Sequence, residues 1–289
     1  MGHSHSHSSE KIGWAFFLNF GFTIIEFIGG WLTNSTAIMA DAVHDLGDTL
    51  SIGSAWFLNK LGTKSATKEF TYGYRRLSLL GALINGIVLI VGSAWIFYEA
   101  VPRLSNPEMP ETEGMIALAI LGVLVNGFAA YKLHGGKSLN EKVLNWHLLE
   151  DVLGWVAVLI VAIVMQFKDW PILDPILSIG FTLFILFNVI RNLLSTAKLF
   201  FQASPDNSLL QNVTDKLLEL DAVSDLHHLH IWSLDGEHHV ATVHVVSQFE
   251  SKAEYLELKE SVSNALQEFE LSHTTIEIEL TSEECRDAD

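Results

Sequence analysis

Long apolar runs separated by short polar loops dominate the first two thirds of the chain. They cover roughly 12–33, 37–60, 77–100, 113–133, 143–166 and 172–198. Each reaches the ~20 residues that an α-helix needs to cross a bilayer, so the pattern predicts six transmembrane helices. From about Ser204 the pattern changes, with "SPDNS" supplying a proline and a helix N-cap signal. "SLLQNVTDKLLEL" and "SKAEYLELKESVSNALQEF" then have helical spacing. "VSDLHHLHIWSL" and "HHVATVHVVS" alternate as strands do, joined by "DGE", and "HTTIEIEL" reads as a third strand. The order αββαβ predicts a small α+β domain with helices on one face of a three-stranded sheet. The chain thus divides into a His-rich N-terminus at 1–11, a six-span domain at 12–200 and an αββαβ domain at 204–289.

Composition agrees with a membrane protein that carries one soluble domain. Hydrophobic residues make up 49% of the 289, and the six runs hold most of them. Only one basic residue, Lys11, precedes the first run, and no small-residue cleavage pattern follows a short apolar core, so the first span is expected to remain. The loop after the second span holds Lys60, Lys64, Lys68, Arg75 and Arg76, and the loop after the fourth holds Lys132, Lys137 and Lys142. The opposite loops hold only Arg103 and Lys168. The positive-inside rule therefore puts both termini in the cytoplasm. The formal net charge of −17 belongs mostly to the tail, where Lys216, Lys252, Lys259 and Arg286 are far outnumbered by acids. Such a surface argues against nucleic acid and anionic lipid and attracts cations. The single cysteine, Cys285, excludes an intrachain disulfide and a thiolate cluster within one chain.

The second and fifth spans are the least apolar. "ADAVHDLGD" places His44 and Asp48 four residues apart, and "NWHLLEDVLGW" repeats that spacing with His147 and Asp151. Residues at i and i+4 share one face of a helix. An ionisable group at the bilayer centre costs about 2.5–3.5 kcal/mol on insertion scales, so several together need a strong compensating interaction. A zinc-like dication supplies one, because it takes four ligands in a tetrahedron from imidazole nitrogen and carboxylate oxygen. With a rise of 1.5 Å per residue, both pairs fall near the middle of a ~30 Å core, at overlapping heights. The competing reading is polar side chains satisfying one another inside a bundle; the repetition of the HxxxD spacing favours ligands. Asp41, Asp45 and Glu150 are expected at a cavity mouth. Asn19 and Glu26, two turns apart, either line the cavity or bond a neighbouring helix.

At "DAVHDLGD", "YGYRRLSLLGALING", "SLNEKVLNWHLLEDVLG" and "HLHIWSL" the chain resembles the cation diffusion facilitator family, in its zinc-transporting branch. The resemblance covers nearly the whole chain. It implies a homodimer that alternates a transmembrane site between two sides and exchanges a metal dication for protons. It implies His44, Asp48, His147 and Asp151 as the transport site. Histidine at both first positions favours zinc, with cadmium, cobalt and nickel as lesser substrates, and imidazole suits such ions better than magnesium or calcium. It implies a metallochaperone-like tail that binds metal through His227, His244 and Glu279, with Glu277 nearby; His228, His230, His238, His239 and His273 leave that register open. His230 also belongs, with Trp232, to an HxW strand suited to packing. An extra metal site in the loop after the second span is expected to be absent, since "LGTKSATKEFTYGYRR" offers neither Asp nor His. Gln202 stands where some members carry an acid, which places a charge interlock with Arg75 or Arg76 in doubt. His3, His5 and His7 form an alternating tract of a kind that binds zinc weakly, and its serine interruptions favour a native segment over a cloning artefact.

Histidine's unperturbed pKa of ~6.5 offers a route to coupling, since a metal requires the imidazole neutral. The expected function is zinc efflux from the cytoplasm by Zn²⁺/H⁺ antiport, in a bacterial inner membrane, with zinc as substrate and regulatory ligand. The alternatives are a cadmium, cobalt or nickel exporter of the same kind, or a membrane metal sensor. No catalytic role is expected: HExxH is missing, and four protein ligands leave no position for a catalytic water. A closed tetrahedral shell also holds an ion too tightly for a channel. No nucleotide-binding loop suggests ATP as the driver.

Overall fold

The computed structural model describes residues 4–62, 66–133, 139–285 and 287. The membrane part comprises α1 (Ser4–Thr33), α2 (Thr36–Gly62), α3 (Leu77–Ser105), α4 (Thr112–Leu133), α5 (Leu139–Phe167) and α6 (Leu173–Phe200). The tail comprises α7 (Asn207–Leu218), β1 (Val223–Ser233), β2 (His239–Ser247), α8 (Lys252–Leu266) and β3 (Leu271–Leu280). Among the described residues, five helices are long and apolar enough to cross a membrane: α1, α3, α4, α5 and α6. The sixth expected span, α2, is absent from that group and carries Asp41, Asp45 and Asp48. The chain forms two compact units, Met1–Asn59 with Gly81–Leu193, and Lys60–Leu80 with Leu194–Asp289. The second unit thus includes the segment between α2 and α3, which the division at 204 leaves with the membrane helices. Lys64 and Lys137, used above for orientation, lie outside the described residues.

In the first unit, α2 packs against two apolar clusters. Ala37 and Ile38 join Phe22, Met115, Ala119, Trp155 and Val158 from α1, α4 and α5. Ala40 and Val43 join Leu89, Ile96, Ile185 and Val189 from α3 and α6. The α4–α5 contact is close. A Cβ on Gly122 would come within 2.2 Å of the Trp155 ring, so only glycine allows that indole to lie against α4.

The turn between α1 and α2 gathers polar contacts from several helices. Asn34 adopts φ 54°, its amide donates to Trp31 O, and the Ser35 amide donates to Gly30 O. That pair of bonds is the Schellman ending of a helix. Ser35 then begins α2 by accepting from the Ile38 amide at 3.2 Å. Asp174, the second residue of α6, accepts from the Ser35 and Thr36 hydroxyls at 2.6 and 2.7 Å. It also accepts from the Thr36 and Ala37 amides at 2.7 and 3.2 Å. One buried carboxylate therefore satisfies the amides that a helix N-terminus leaves unpaired. Arg103 of α3 donates to Asn34 O and Oδ1, both at 2.8 Å. The Glu111 amide, just before α4, donates to Thr33 O at 2.8 Å.

In the tail, Asp206 and Ser251 cap α7 and α8 by accepting from the Ser208 and Glu254 amides. The strand order is β1-β2-β3, antiparallel between β1 and β2 and parallel between β2 and β3. A parallel pair needs a crossover, and α8 provides it. Val213 and Leu217 of α7, Val243 and Val245 of β2, and Leu258 and Val262 of α8 share one core. This is the αββαβ order expected. Asp235 shapes the β1–β2 turn by accepting from the Glu237 and His238 amides and pairing with the His238 ring at 2.8 Å. Burial works against the Asp235 charge, but those donors win and hold its carboxyl below the usual range.

Replacing Asp174 with alanine should orphan the N-terminal donors of α2. The expected loss is about 2–4 kcal/mol of stability, read as a lowered melting temperature of the solubilised protein. An unchanged melting temperature would show that water replaces the carboxylate without cost.

Candidate metal centre

The i, i+4 spacing puts His44 and Asp48 on one face of α2, and His147 and Asp151 on one face of α5. The two faces meet. His147 Nε2 lies 3.0 Å from Asp48 Oδ2 and 3.9 Å from Asp151 Oδ2. His44 Nε2 lies 3.6 Å from Asp48 Oδ2 and 3.7 Å from Asp151 Oδ1. The imidazole centroids are 5.6 Å apart and nearly perpendicular. One ligand atom from each of the four residues lies within 4.8 Å of every other. Ligands about 2.0–2.2 Å from a tetrahedral ion are about 3.3–3.6 Å apart, so the set closes on one dication with little movement. Two carboxylates balance its charge.

Core packing fixes these positions. Trp155, one turn beyond Asp151, is buried against α4. Ala40, one turn before His44, is buried in the cluster shared with α3 and α6. On α2 a second stripe faces α1: Asn19 donates to Thr49 Oγ1 at 2.9 Å and to Asp45 O at 3.3 Å. Of the two roles open to Asn19, bonding a neighbouring helix is the one found. Glu26 is 1% exposed and is not part of the lining of the cavity beside the four residues.

That cavity has a volume of about 290 Å³ and is lined by Asp41, His44, Glu150, Asp151, Phe181 and Phe184 among others. Glu150 is exposed, and Asp41 borders the cavity as expected although it is only 7% exposed. Asp45, 5% exposed, is not among the described lining residues, which departs from its expected place at a cavity mouth. The stripe 41, 45, 49 is rotated away from the stripe 44, 48, so the tight packing of α2 closes over it.

In the tail, β1 and β2 pair His227 directly with His244. The register shifts between His227 and His230, where His228 adopts φ 49°. This bulge breaks the simple alternation of β1, and it is His227 that comes within reach of Glu279. Glu279 on β3 meets both histidines of the pair: its Oε1 is hydrogen-bonded to His244 Nδ1 at 2.7 Å, and its Oε2 lies 2.9 Å from His227 Nε2, an ion-pair distance. Burial opposes the Glu279 charge, yet hydrogen bonds from Cys285 and His244 and the nearby His227 bring its carboxyl below the usual range. Glu277 lies on the other side of the same ring, 3.8 Å from His244 Nε2.

Cys285 completes the cluster, and sequence reasoning missed it. Its Sγ lies 3.6 Å from His244 Nδ1, and His227, His244, Glu279 and Cys285 each bring a ligand atom within 4.8 Å of the others. One cysteine cannot form a thiolate cluster, but it can join a mixed set, and nothing in its local sequence signals that it turns back to β2. Of the other histidines, His238 pairs with Asp235 and His273 meets the Tyr72 ring edge-on at 5.5 Å. His228 and His230 line, with His244, an adjoining groove of about 430 Å³, and the His228 ring lies 5.1 Å from the His244 ring. Trp232 is half-buried. Gln202 has φ 58° and ends α6 with the bonds Gln202 N to Leu199 O and Ala203 N to Lys198 O, a backbone role. The His3, His5 and His7 tract lies outside the residues described at side-chain level.

Two family models match the chain in sequence. One, described as the cation efflux transmembrane domain, matches residues 14–200. The other, described as the cation efflux protein cytoplasmic domain, matches residues 205–281. A cadmium, cobalt and zinc/H(+)-K(+) antiporter of Bacillus subtilis is 32% identical over 96% of this chain and 92% of its own length. The zinc transporter ZitB of Escherichia coli is 32% identical over 96% of this chain and 93% of its own length. The metal cation efflux system protein CzcD of Cupriavidus metallidurans is 32% identical over 100% of this chain and 92% of its own length. With both parts matched in order and the two HxxxD helices face to face, this integral membrane chain belongs to the cation diffusion facilitator family of cation efflux proteins.

Proposed function

We propose that the protein exports zinc from the cytoplasm as a Zn²⁺/H⁺ antiporter, using His44, Asp48, His147 and Asp151 as the transport site. The observation that carries this reading is the four-residue cluster built by two helices, each supplying one imidazole and one carboxylate at i and i+4. Two imidazoles and two carboxylates suit zinc, and the names of the relatives, a zinc transporter and a cadmium, cobalt and zinc antiporter, support the same substrate class. The ion enters from the cavity beside His44 and Asp151. Binding requires both imidazoles neutral, so loading releases protons and reprotonation on an acidic far side expels the ion. The protein acts as a homodimer in a bacterial inner membrane, with both termini in the cytoplasm. The tail cluster of His227, His244 and Glu279 binds metal as a regulatory site. The second reading, an exporter preferring cadmium, cobalt or nickel, keeps the same site and differs only in the order of affinities. A metal sensor would bind without moving the ion, and vesicle flux separates it from both.

Asp48→Ala and Asp151→Ala should each reduce zinc flux in reconstituted vesicles by at least about two orders of magnitude, since even supporting partners of a metal ligand cost 10–100-fold. Insertion and dimerisation should persist; near-normal flux in either variant refutes the assignment. His44→Asp hardens the ligand set and should weaken discrimination against manganese and iron. An unchanged order of metals in a competition assay removes His44 as a selectivity ligand. Zinc uptake should be faster when the trans side is acidic and should fall when an ionophore collapses the pH gradient. Uptake at an equal rate without the gradient, moving no protons in return, would mean a uniporter.

A further inference from the structure

Cys285 is the chain's single cysteine and takes no part in the transport site. It reaches the tail cluster because the chain reverses after β3. The Glu283 amide donates to Leu280 O at 2.9 Å, the Leu280 amide donates to Glu283 Oε2 at 3.2 Å, and the Thr281 amide donates to Ser247 O at 3.3 Å. This turn carries residues 281–285 back over β2, so that the thiol, the His244 ring and the Glu279 carboxylate converge.

We propose that Cys285 is the thiolate ligand of a soft-metal site in the tail, completed by His227, His244 and Glu279, so that a bound ion straps residues 281–285 onto the sheet. The proposal rests on the reading of the tail cluster as a metal site and adds a fourth ligand, a class of ion and a consequence. Three ligands are already poised without the cysteine. Glu279 is 5% exposed and His244 8%, and both nitrogen–oxygen separations are under 3 Å. The distance from Cys285 Sγ to His244 Nδ1, 3.6 Å, is close to the about 3.5 Å between sulfur and nitrogen ligands of one tetrahedral zinc.

The donor set decides the class of ion. Two imidazoles, one carboxylate and one thiolate select zinc or cadmium over manganese, magnesium and calcium, which favour oxygen. In the transport cluster there is no sulfur, so the two sites rank soft cations differently. Thiolate and carboxylate together neutralise a dication. On loading, the sulfur–hydrogen bond breaks, a metal–sulfur bond forms, and one proton leaves to solvent. The segment beyond β3 carries Glu283, Glu284 and Asp287 in a tail that is itself acidic, so a bound dication offsets like charge there and adds to the backbone bonds of the turn.

The experiment uses the full-length solubilised protein carrying Asp48→Ala and Asp151→Ala, which silence the transport site. Cobalt(II) is titrated in, and the near-ultraviolet region is followed for thiolate-to-cobalt charge transfer. Because the chain has one cysteine, that band reports Cys285 alone. The band should appear with about one cobalt per chain, vanish in Cys285→Ser, and vanish in His244→Ala. Cys285→Ser should also weaken cadmium binding by about 10–100-fold, and hydrogen exchange of residues 281–285 should slow with metal only when the cysteine is present. Cobalt bound to the tail with no band, and with equal affinity in Cys285→Ser, overturns the thiolate assignment while the three-residue site stands. No tail metal in any variant overturns both. A band of full strength in His244→Ala overturns the shared site, since the thiol would then bind cobalt by itself.

Discussion

An ionisable side chain inside an apolar bundle is expensive unless something nearby takes its charge. A lone carboxylate there costs several kcal/mol, and α2 carries three aspartates and a histidine within two turns. Several polar groups on that helix therefore find a neighbour. His44 and Asp48 face His147 and Asp151 on α5. Thr49 and the Asp45 carbonyl meet Asn19 on α1. The amides at the helix start meet Asp174 on α6. The apolar clusters on either side of α2 are what bring those partners into reach.

The same constraint distinguishes the two clusters. In the membrane unit, the proposed ligands stand on two helices at i and i+4, and packing one turn away from each pair holds them in place. Their geometry is part of the bundle, so under the proposed function the release of an ion would require the helices themselves to shift. In the tail, two of the proposed ligands come from paired strands, one from the parallel neighbour and one from a short reversed segment. Strand pairing preorganises three of them, and the fourth sits on the turn that follows β3.

Much of this was legible along the chain, because periodicity and spacing are local properties. The six apolar runs, the αββαβ order and the matched HxxxD pairs all follow from residues within one element. A helix has a fixed pitch, so His44 and Asp48 share a face in any fold that keeps them helical, and so do His147 and Asp151. The antiparallel pairing of His227 with His244 was accessible from the hairpin signal, although the bulge at His228 was not: a left-handed histidine has no sequence signature, and it moves the neighbouring histidines off simple alternation.

What the tertiary structure alone decided are contacts between elements far apart in sequence. Asp174 reads as an ordinary first-turn acid of α6, and only the packing of α6 beside α2 makes it the cap of another helix. Asp41 and Asp45 read as exposed polar positions, and the closeness of neighbouring helices buries them. Cys285 reads as a solitary thiol near a charged end, and the turn after β3 carries it to His244, 41 residues away. Sequence fixes which groups must find partners, because that depends on their chemistry and depth; which partners they find depends on how helices and strands pack, and no local pattern encodes that.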